Sequence, residues 1–219
     1  MAEAKLYLGT RRYSSWSLRG WLAVRLADLG VSEHVVPLAG GNTAAVKSIS
    51  PSGFVPYLEH DGACIWDSLA ILEYCAEIQP RLWPADRVAR AHARAITAEM
   101  HSGFRALRTA LPMNCGRDRP RRVVTPETSA DIARIESIWM TTRARFGESG
   151  TYMFGENFTG ADIMFAPVVS RFRSYHIELS TAAMQYIDAI HGHPLIQMWY
   201  RLAALEPDSW KLTGYEELE

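Results

Sequence analysis

The stretch Tyr13-Ser14-Ser15-Trp16-Ser17, in which every residue except Trp16 carries a hydroxyl, joins the first predicted strand to the first predicted helix. A serine at this point is an ordinary helix N-cap, and its hydroxyl can also face a ligand. The free N–H groups and the dipole of a helix N-terminus favour an anion. Hydrogen bonds made only to an ionised thiol lower its pKa, so Ser14 or Ser15 could activate a thiol at neutral pH.

Two further motifs downstream could bind a peptide-like ligand. Val55-Pro56 precedes a predicted strand, and a cis proline there would expose the backbone N–H and C=O of Val55 to a bound peptide. Asp67-Ser68 begins a predicted helix, where the pair can cap the helix or hold an amino-acid head group. In the second case the free N–H groups take the carboxylate of that group and Asp67 takes its ammonium.

Two other motifs are interpreted as structural. Thr159 and Asp162 have the Thr-x-x-acid spacing of a capping box ahead of an apolar segment, so we assign them to folding. A basic stretch between two predicted helices is interpreted as a solvated loop and not as a binding site. Its arginines are Arg117, Arg119, Arg121 and Arg122.

The pattern up to about residue 80 predicts a small α/β unit. Strands are expected at Lys5–Gly9, His34–Leu38, Pro56–Glu59 and Ala63–Trp66, and helices at Ser14–Leu29 and Leu69–Ile78. Gly40–Ser50 has only weak helical character, and the Asp-Gly turn after His60 joins two of the strands. The order β-α-β-α-β-β-α is that of a thioredoxin-like fold with one mixed sheet.

Beyond Trp83 the pattern is helical throughout. Helices are expected at Arg87–Leu111, Pro126–Phe146, Ala161–Phe172 and Pro194–Leu205. The third of these is apolar almost all round, as expected for a helix buried at the centre of a domain. We therefore predict an α/β domain over residues 1–82 and an all-α domain over residues 88–219.

Composition argues against several classes of protein. The chain carries 23 basic and 24 acidic residues, so nothing favours nucleic acid or an anionic membrane as a partner. No apolar run reaches the roughly 18 residues of a membrane span, and the N-terminal residues do not resemble a signal peptide. Cys64, Cys75 and Cys115 have no disulfide pattern, which favours a reducing, cytoplasmic location. No Cys/His group has ligand spacing, so no metal is expected.

The order and spacing of these motifs resemble the cytosolic glutathione transferase superfamily over essentially the whole chain. Ser14–Arg19 is similar to the serine motif of its zeta-class branch, which includes maleylacetoacetate isomerases. Val55-Pro56 resembles the cis-proline of the family, and Asp67-Ser68 resembles the acid–serine pair that binds the γ-glutamyl group. Ala98–Asn114 is similar to a bacterial subgroup. The resemblance implies glutathione as co-substrate.

The resemblance also implies roles for individual residues. Ser14 is expected to donate to the glutathione thiolate, with Ser15 as the alternative, and Val55 is expected to pair through its backbone. A pocket for the electrophile is expected to include Tyr13, Trp16, Met100, Phe104, Arg105 and Arg108. An arginine that faces this pocket would favour a carboxylated or otherwise anionic electrophile.

Two departures from the family pattern limit these expectations. The zeta-type motif has a cysteine where this chain has Trp16, which is expected to reshape the pocket. A glutamine often found after the second strand has no counterpart among Gly40, Gly41 and Asn42.

The function expected from the sequence is glutathione transfer to a small electrophile, as in detoxification. The alternatives are isomerisation of a maleylacetoacetate-like diacid and non-catalytic binding of glutathione or other ligands. A thiol–disulfide oxidoreductase would need a cysteine near Ser14 and Ser15. A two-fold homodimer is implied by the resemblance alone.

Overall fold

The computed structural model describes residues 4–38, 43–120, 123–148 and 150–218. Within these ranges the strands are β1 (Lys5–Gly9), β2 (Ser32–Val36), β3 (Tyr57–His60) and β4 (Ala63–Ile65). The helices among and after them are α1 (Ser15–Leu26), α2 (Ala44–Ile49) and α3 (Ser68–Ile78). Five residues discussed above lie outside the described residues: Gly40, Gly41, Asn42, Arg121 and Arg122.

The four strands form one mixed sheet in the order β2-β1-β3-β4. β1 pairs in parallel with β2 and antiparallel with β3, and β4 pairs antiparallel with β3. Leu6 and Leu8 of β1 are fully buried on one face of the sheet, since alternate residues of a strand share a face. This topology confirms the predicted thioredoxin-like unit.

β2 begins and ends two residues earlier than the apolar pattern predicted. Its bounds follow from its pairing with β1, which places Lys5 opposite Ser32 and Gly9 opposite Val36. Leu38 lies beyond the strand, and its N–H donates to the hydroxyl of Thr10 at 2.9 Å. The pairing with β1, and not local hydrophobicity, therefore sets where β2 begins and ends.

The rest of the described chain is helical. The helices are α4 (Arg87–Ser102), α5 (Arg105–Ala110), α6 (Pro126–Phe146), α7 (Gly160–Ser174), α8 (Thr181–Gly192), α9 (Pro194–Ala204) and α10 (Thr213–Glu216). α7 is buried at the centre, and the fully buried ring of Trp139 packs edge-on against Phe165 and Phe172 of this helix. None of the described helices combines the length and the apolar character that crossing a membrane requires.

The helix predicted over Arg87–Leu111 is divided in two. Phe104 has a left-handed backbone conformation with φ of 59°, which separates α4 from α5. A Cβ at Gly103 would lie 2.7 Å from the carbonyl oxygen of Glu99, so glycine suits the end of α4. Phe104 is buried on the core side, and this burial offsets the strain of its backbone. Apolar periodicity does not reveal the break, because apolar residues on both sides of it are buried.

The capping box at the start of α7 is present. The Asp162 carboxylate accepts hydrogen bonds from the N–H and the hydroxyl of Thr159, both at 2.8 Å. It also accepts from the N–H of Met153 at 3.2 Å and from the hydroxyl of Tyr186 at 2.9 Å. Burial raises the pKa of Asp162, and these hydrogen bonds act in the opposite direction. Asp162 therefore ties the start of α7 to the preceding loop and to α8.

Candidate active site

A cavity of about 360 Å³ lies where the sheet-bearing half of the chain meets the helical half. Ser14, Ser15 and Val55 line it from the first half, and Arg108 and Arg171 line it from the second. The other lining residues are Tyr13, Trp16, Leu38, Thr43, Val46, Gly53, Phe54, Pro112, Met113 and Tyr215. A larger cavity of about 750 Å³ lies at the far end of α7, and neither serine lines it. The smaller cavity is therefore the candidate active site.

Ser14 is the N-cap of α1 and is held by Ser17. The Ser14 Oγ accepts from the Ser17 N–H at 3.2 Å and donates to the Ser17 Oγ at 2.8 Å. The Ser17 Oγ also accepts from the N–H of Gly9, the last residue of β1, at 2.9 Å. The end of β1 thus positions Ser17, and Ser17 positions the Ser14 hydroxyl at the cavity wall.

Ser15 is the first residue of α1 and contacts Arg171. The Arg171 Nη2 donates to the Ser15 Oγ at 3.4 Å, while its Nε donates to the carbonyl of Leu111 at 2.8 Å and its Nη1 to that of Pro167 at 2.9 Å. Arg171 is only 4% exposed, and burial and the charge of Arg108 lower its pKa to about 10. Arg171 did not follow from the sequence; an arginine inside an otherwise apolar helix is the signal that points to it.

The ring of Trp16 contacts two guanidinium groups. The Arg19 and Arg108 guanidinium carbons lie 4.6 and 4.8 Å from its ring centroid. Arg19 is almost completely buried, and its Nε donates to the carbonyl of Met164 at 2.9 Å. Burial and the charges of Arg171 and Arg108 lower the pKa of Arg19. Since an indole face attracts cations, Trp16 helps to hold two arginines close together, which a cysteine side chain cannot do.

Arg19, Arg108 and Arg171 form a positively charged cluster beside the cavity. In the described part of the chain, none of the three makes a salt bridge with a carboxylate, although Asp67 acts on Arg19 and Asp131 on Arg108 from a longer distance. Arg108 instead donates to the carbonyls of His101 at 2.9 Å and Gly103 at 2.6 Å. Arginine keeps its proton at physiological pH, and grouping three buried or half-buried cations is costly. A bound anion would relieve this cost, so the cluster indicates an anionic ligand.

The Val55-Pro56 peptide bond is cis. Pro56 packs against α1 at Gly20, where a Cβ would lie 2.7 Å from the proline Cγ. Val55 precedes β3 and lines the cavity. The absence of a side chain at Gly20 therefore lets the turn before β3 approach the helix whose N-terminus carries the two serines.

Asp67 and Ser68 begin α3 and are not among the residues that line the 360 Å³ cavity. The Trp66–Asp67 peptide bond is cis. The Asp67 Oδ2 lies 2.9 Å from the Nε2 of His101, whose ring lies edge-on against Trp16 at 5.2 Å. The Ser68 Oγ is buried and has no hydrogen-bond partner within the described residues. The carboxylate expected to bind an ammonium group thus contacts a histidine, while the adjacent hydroxyl is unpaired.

Three residues predicted to line the electrophile pocket do not line this cavity. Met100 and Phe104 are buried in the core, and Arg105 is exposed at the start of α5. The break between α4 and α5 explains this placement, since the predicted stripe assumed one continuous helix. The predicted pocket residues that do line the cavity are Tyr13, Trp16 and Arg108.

Comparison with known proteins assigns the chain to a family. A model of the glutathione S-transferase N-terminal domain matches residues 13–78, and a model of the glutathione S-transferase C-terminal domain matches residues 90–202. The chain belongs to the glutathione S-transferase family. The predicted family and fold class are therefore confirmed.

Similar proteins include isomerases of this family. The chain is 29% identical over 184 residues to maleylacetoacetate isomerase of Rattus norvegicus. It is 30% identical over 186 residues to probable maleylacetoacetate isomerase of Caenorhabditis elegans. Each alignment covers 80% of this chain and 81% of the relative. The structure of maleylacetoacetate isomerase from Anaeromyxobacter dehalogenans, with glutathione in its active site, is 25% identical. It superposes with a TM-score of 0.66 over 94% of this chain and 97% of that one. These relatives agree with the predicted class, a glutathione-dependent enzyme.

Proposed function

We propose that this enzyme uses glutathione to isomerise a small unsaturated diacid, of the kind that its maleylacetoacetate isomerase relatives act on. The observation that carries the proposal is the arginine cluster at the cavity. Arg108 and Arg171 line the wall, Arg19 contacts the ring of Trp16, and none makes a salt bridge with a carboxylate in the described part of the chain. A substrate with two carboxylates would supply the missing negative charge.

The residues present fit glutathione as co-substrate. The hydroxyls of Ser14 and Ser15 lie at the N-terminus of α1, where the helix dipole favours a thiolate. We assign the backbone of Val55 to the cysteinyl part of glutathione. We assign Asp67 and Ser68 to the γ-glutamyl group, and the unpaired, buried Ser68 hydroxyl is suited to donate to its carboxylate.

Ser14 is the proposed thiolate donor. The hydroxyl pair that it forms with Ser17 can reverse, so that Ser17 donates to the Ser14 Oγ and the Ser14 proton turns to the sulfur. The Gly9 N–H donates to the Ser17 Oγ in both arrangements. When bound, glutathione supplies a thiolate that adds reversibly to a conjugated double bond. Ser15, which accepts from Arg171, is assigned to positioning that arginine.

Arg108 and Arg171 are the proposed carboxylate-binding residues. A guanidinium presents paired N–H donors that match the two oxygens of a carboxylate. Trp16 orients Arg108 through its ring face, so the residue that departs from the zeta motif supports the same function.

Conjugation of glutathione to a carboxylated electrophile, as in detoxification, is the second candidate. Arg108 and Arg171 would hold the carboxylate of such an electrophile in the same way, so the arginine cluster fits both reactions. Product analysis separates the two reactions, since glutathione is consumed in conjugation and conserved in isomerisation.

Replacing Arg108 with methionine is expected to lower kcat/KM for a carboxylated electrophile by about 10- to 100-fold, the usual value of one charge-assisted hydrogen-bonding pair. Conjugation of a neutral electrophile such as chlorodinitrobenzene should change by less than about threefold, because it does not use the charge. Arg105→Met is the matched control, since Arg105 lies on the same helix and is exposed. An equal loss with both electrophiles would show that Arg108 acts on structure and not on substrate charge.

We further propose a cytosolic homodimer. Family membership supports the dimer, and the free thiols of Cys64, Cys75 and Cys115 suit a reducing compartment. Sedimentation at micromolar concentration tests the dimer: a mass of 24.6 kDa, that of one chain, would contradict it.

A further inference from the structure

Residues 212–218, here called the closing segment, lie against the cavity and are fixed by the side chain of Glu216. The Glu216 Oε1 accepts from the hydroxyl of Tyr13 at 2.5 Å and from the Nδ2 of Asn114 at 3.2 Å. The Nη1 of Arg12 lies 3.8 Å from the same oxygen. One carboxylate thus joins the closing segment to the loop after β1 and to the loop after α5.

The backbone of the closing segment is held by the basic loop. The Arg119 Nη2 donates to the carbonyl of Glu216 at 2.5 Å, and the Arg117 Nη1 donates to that of Leu218 at 2.6 Å. Arg117 is only 8% exposed, and its guanidinium lies over the ring of Tyr175 at 4.4 Å. The interpretation of this stretch as a solvated loop is therefore wrong for Arg117, which is buried. Arg119 is exposed, and it also binds this other part of the same chain.

Tyr13 connects the closing segment to the cavity. Its hydroxyl donates to Glu216 and accepts from the N–H of Leu212 at 3.1 Å. Its ring packs against that of Tyr215 at 5.2 Å, and both rings line the cavity. The Tyr13 proton is thus donated to Glu216 and not to the cavity, and burial together with this bond raises the pKa of Tyr13 to about 12. The role of Tyr13 is structural, and it places Tyr215.

We propose that Tyr215 is a specificity-determining wall of the electrophile pocket and that Glu216 is the positioning residue that holds it there. The proposal rests on the proposed function, because it names the part of that site that selects the substrate. Together with Trp16, Tyr215 gives the cavity flat aromatic walls close to the arginines, which suits a short conjugated carboxylate. The closing segment contacts neither Ser14 nor Val55 through any hydrogen bond described above, so glutathione binding should not depend on it.

Kinetics of two variants test the wall. In Glu216→Ala and Tyr215→Ala, KM for the carboxylated electrophile should rise about five- to tenfold, as expected when packing and one hydrogen-bonded anchor are lost. The dissociation constant of glutathione, from titration calorimetry, should stay within about twofold. Glu217→Ala is the matched control, since Glu217 is exposed and carries the same charge. An unchanged electrophile KM in both alanine variants would overturn the proposal.

Trypsin cleavage gives a readout that does not depend on activity. Lys211 is exposed, but the adjacent N–H of Leu212 is bonded to Tyr13, so cleavage after Lys211 requires the segment to open. Glu216→Ala should be cleaved there about tenfold faster than the parent protein and Glu217→Ala, if one charged hydrogen-bond anchor is lost. Equal cleavage rates would show that Glu216 does not hold the segment. The cleavage rates can be compared even if no diacid is turned over, so failure of the proposed function and failure of the Glu216 anchor are distinguishable.

Discussion

Replacing Ser14 with glycine is expected to reduce glutathione-dependent turnover by about 100- to 1000-fold, the usual effect of removing a hydrogen bond to a developing or resident anion in an active site. The reason is the thiol pKa: without the Ser14 hydroxyl, less of the bound glutathione is ionised at neutral pH. The fold should survive, because glycine replaces a serine N-cap at a cost of only a few tenths of a kcal/mol.

Two other variants separate the role of the Ser14 hydroxyl as thiolate donor from its role as helix N-cap and from the role of Ser15. Ser14→Thr keeps both a hydroxyl and a good N-cap, so it should retain most of the activity. Ser15→Ala should lose only about tenfold, because it removes one hydrogen bond to Arg171 and leaves the thiolate donor in place. The measurement is kcat together with the ultraviolet absorbance of the bound thiolate as a function of pH. If Ser14→Gly keeps the parent's rate and thiolate absorbance while Ser15→Ala loses both, the donor is Ser15.

Asp162→Ala is expected to lower the free energy of unfolding by about 3–5 kcal/mol, since it leaves several buried donors without an acceptor. These donors are the N–H and hydroxyl of Thr159, the N–H of Met153 and the hydroxyl of Tyr186. Catalytic activity should fall as well, because α7 also carries Arg171.

Urea denaturation measures this effect through the transition midpoint. Asp162→Asn keeps one acceptor oxygen and the shape of the side chain, so its loss should be smaller than that of Asp162→Ala. Asp188→Ala is the matched surface control: its carboxylate is 69% exposed and pairs with Arg173, so the expected change is below about 1 kcal/mol. A loss of under about 1 kcal/mol in Asp162→Ala would contradict the structural role of the capping box.

Elements with strong local signals could be predicted from the sequence with correct bounds. β1 and α6 (Pro126–Phe146) lie where the pattern placed them, the helix because proline at its first position and an amphipathic run mark it. β2 was displaced by its pairing with β1, and the break at Phe104 depends on tertiary burial. The segments that became α8 and α10 were not predicted.

Some residues of the candidate site could likewise be predicted from the sequence, and others could not. Ser14, Val55 and Trp16, which line the cavity, could be predicted because each belongs to a local sequence motif. Arg171 and Tyr215 were missed, because their positions depend on how α7 crosses α1 and on contacts that span much of the chain. Sequence spacing does not encode such long-range approaches, and only the assembled fold shows them.

Isomerisation is tested by NMR analysis of the products after the enzyme is mixed with glutathione and a cis-unsaturated keto diacid. We expect the trans diacid to accumulate over many turnovers while the concentration of free glutathione stays constant. Consumption of one glutathione for each diacid would contradict isomerisation and support conjugation. Recovery of the cis diacid and glutathione unchanged would contradict the proposed catalytic role of the site.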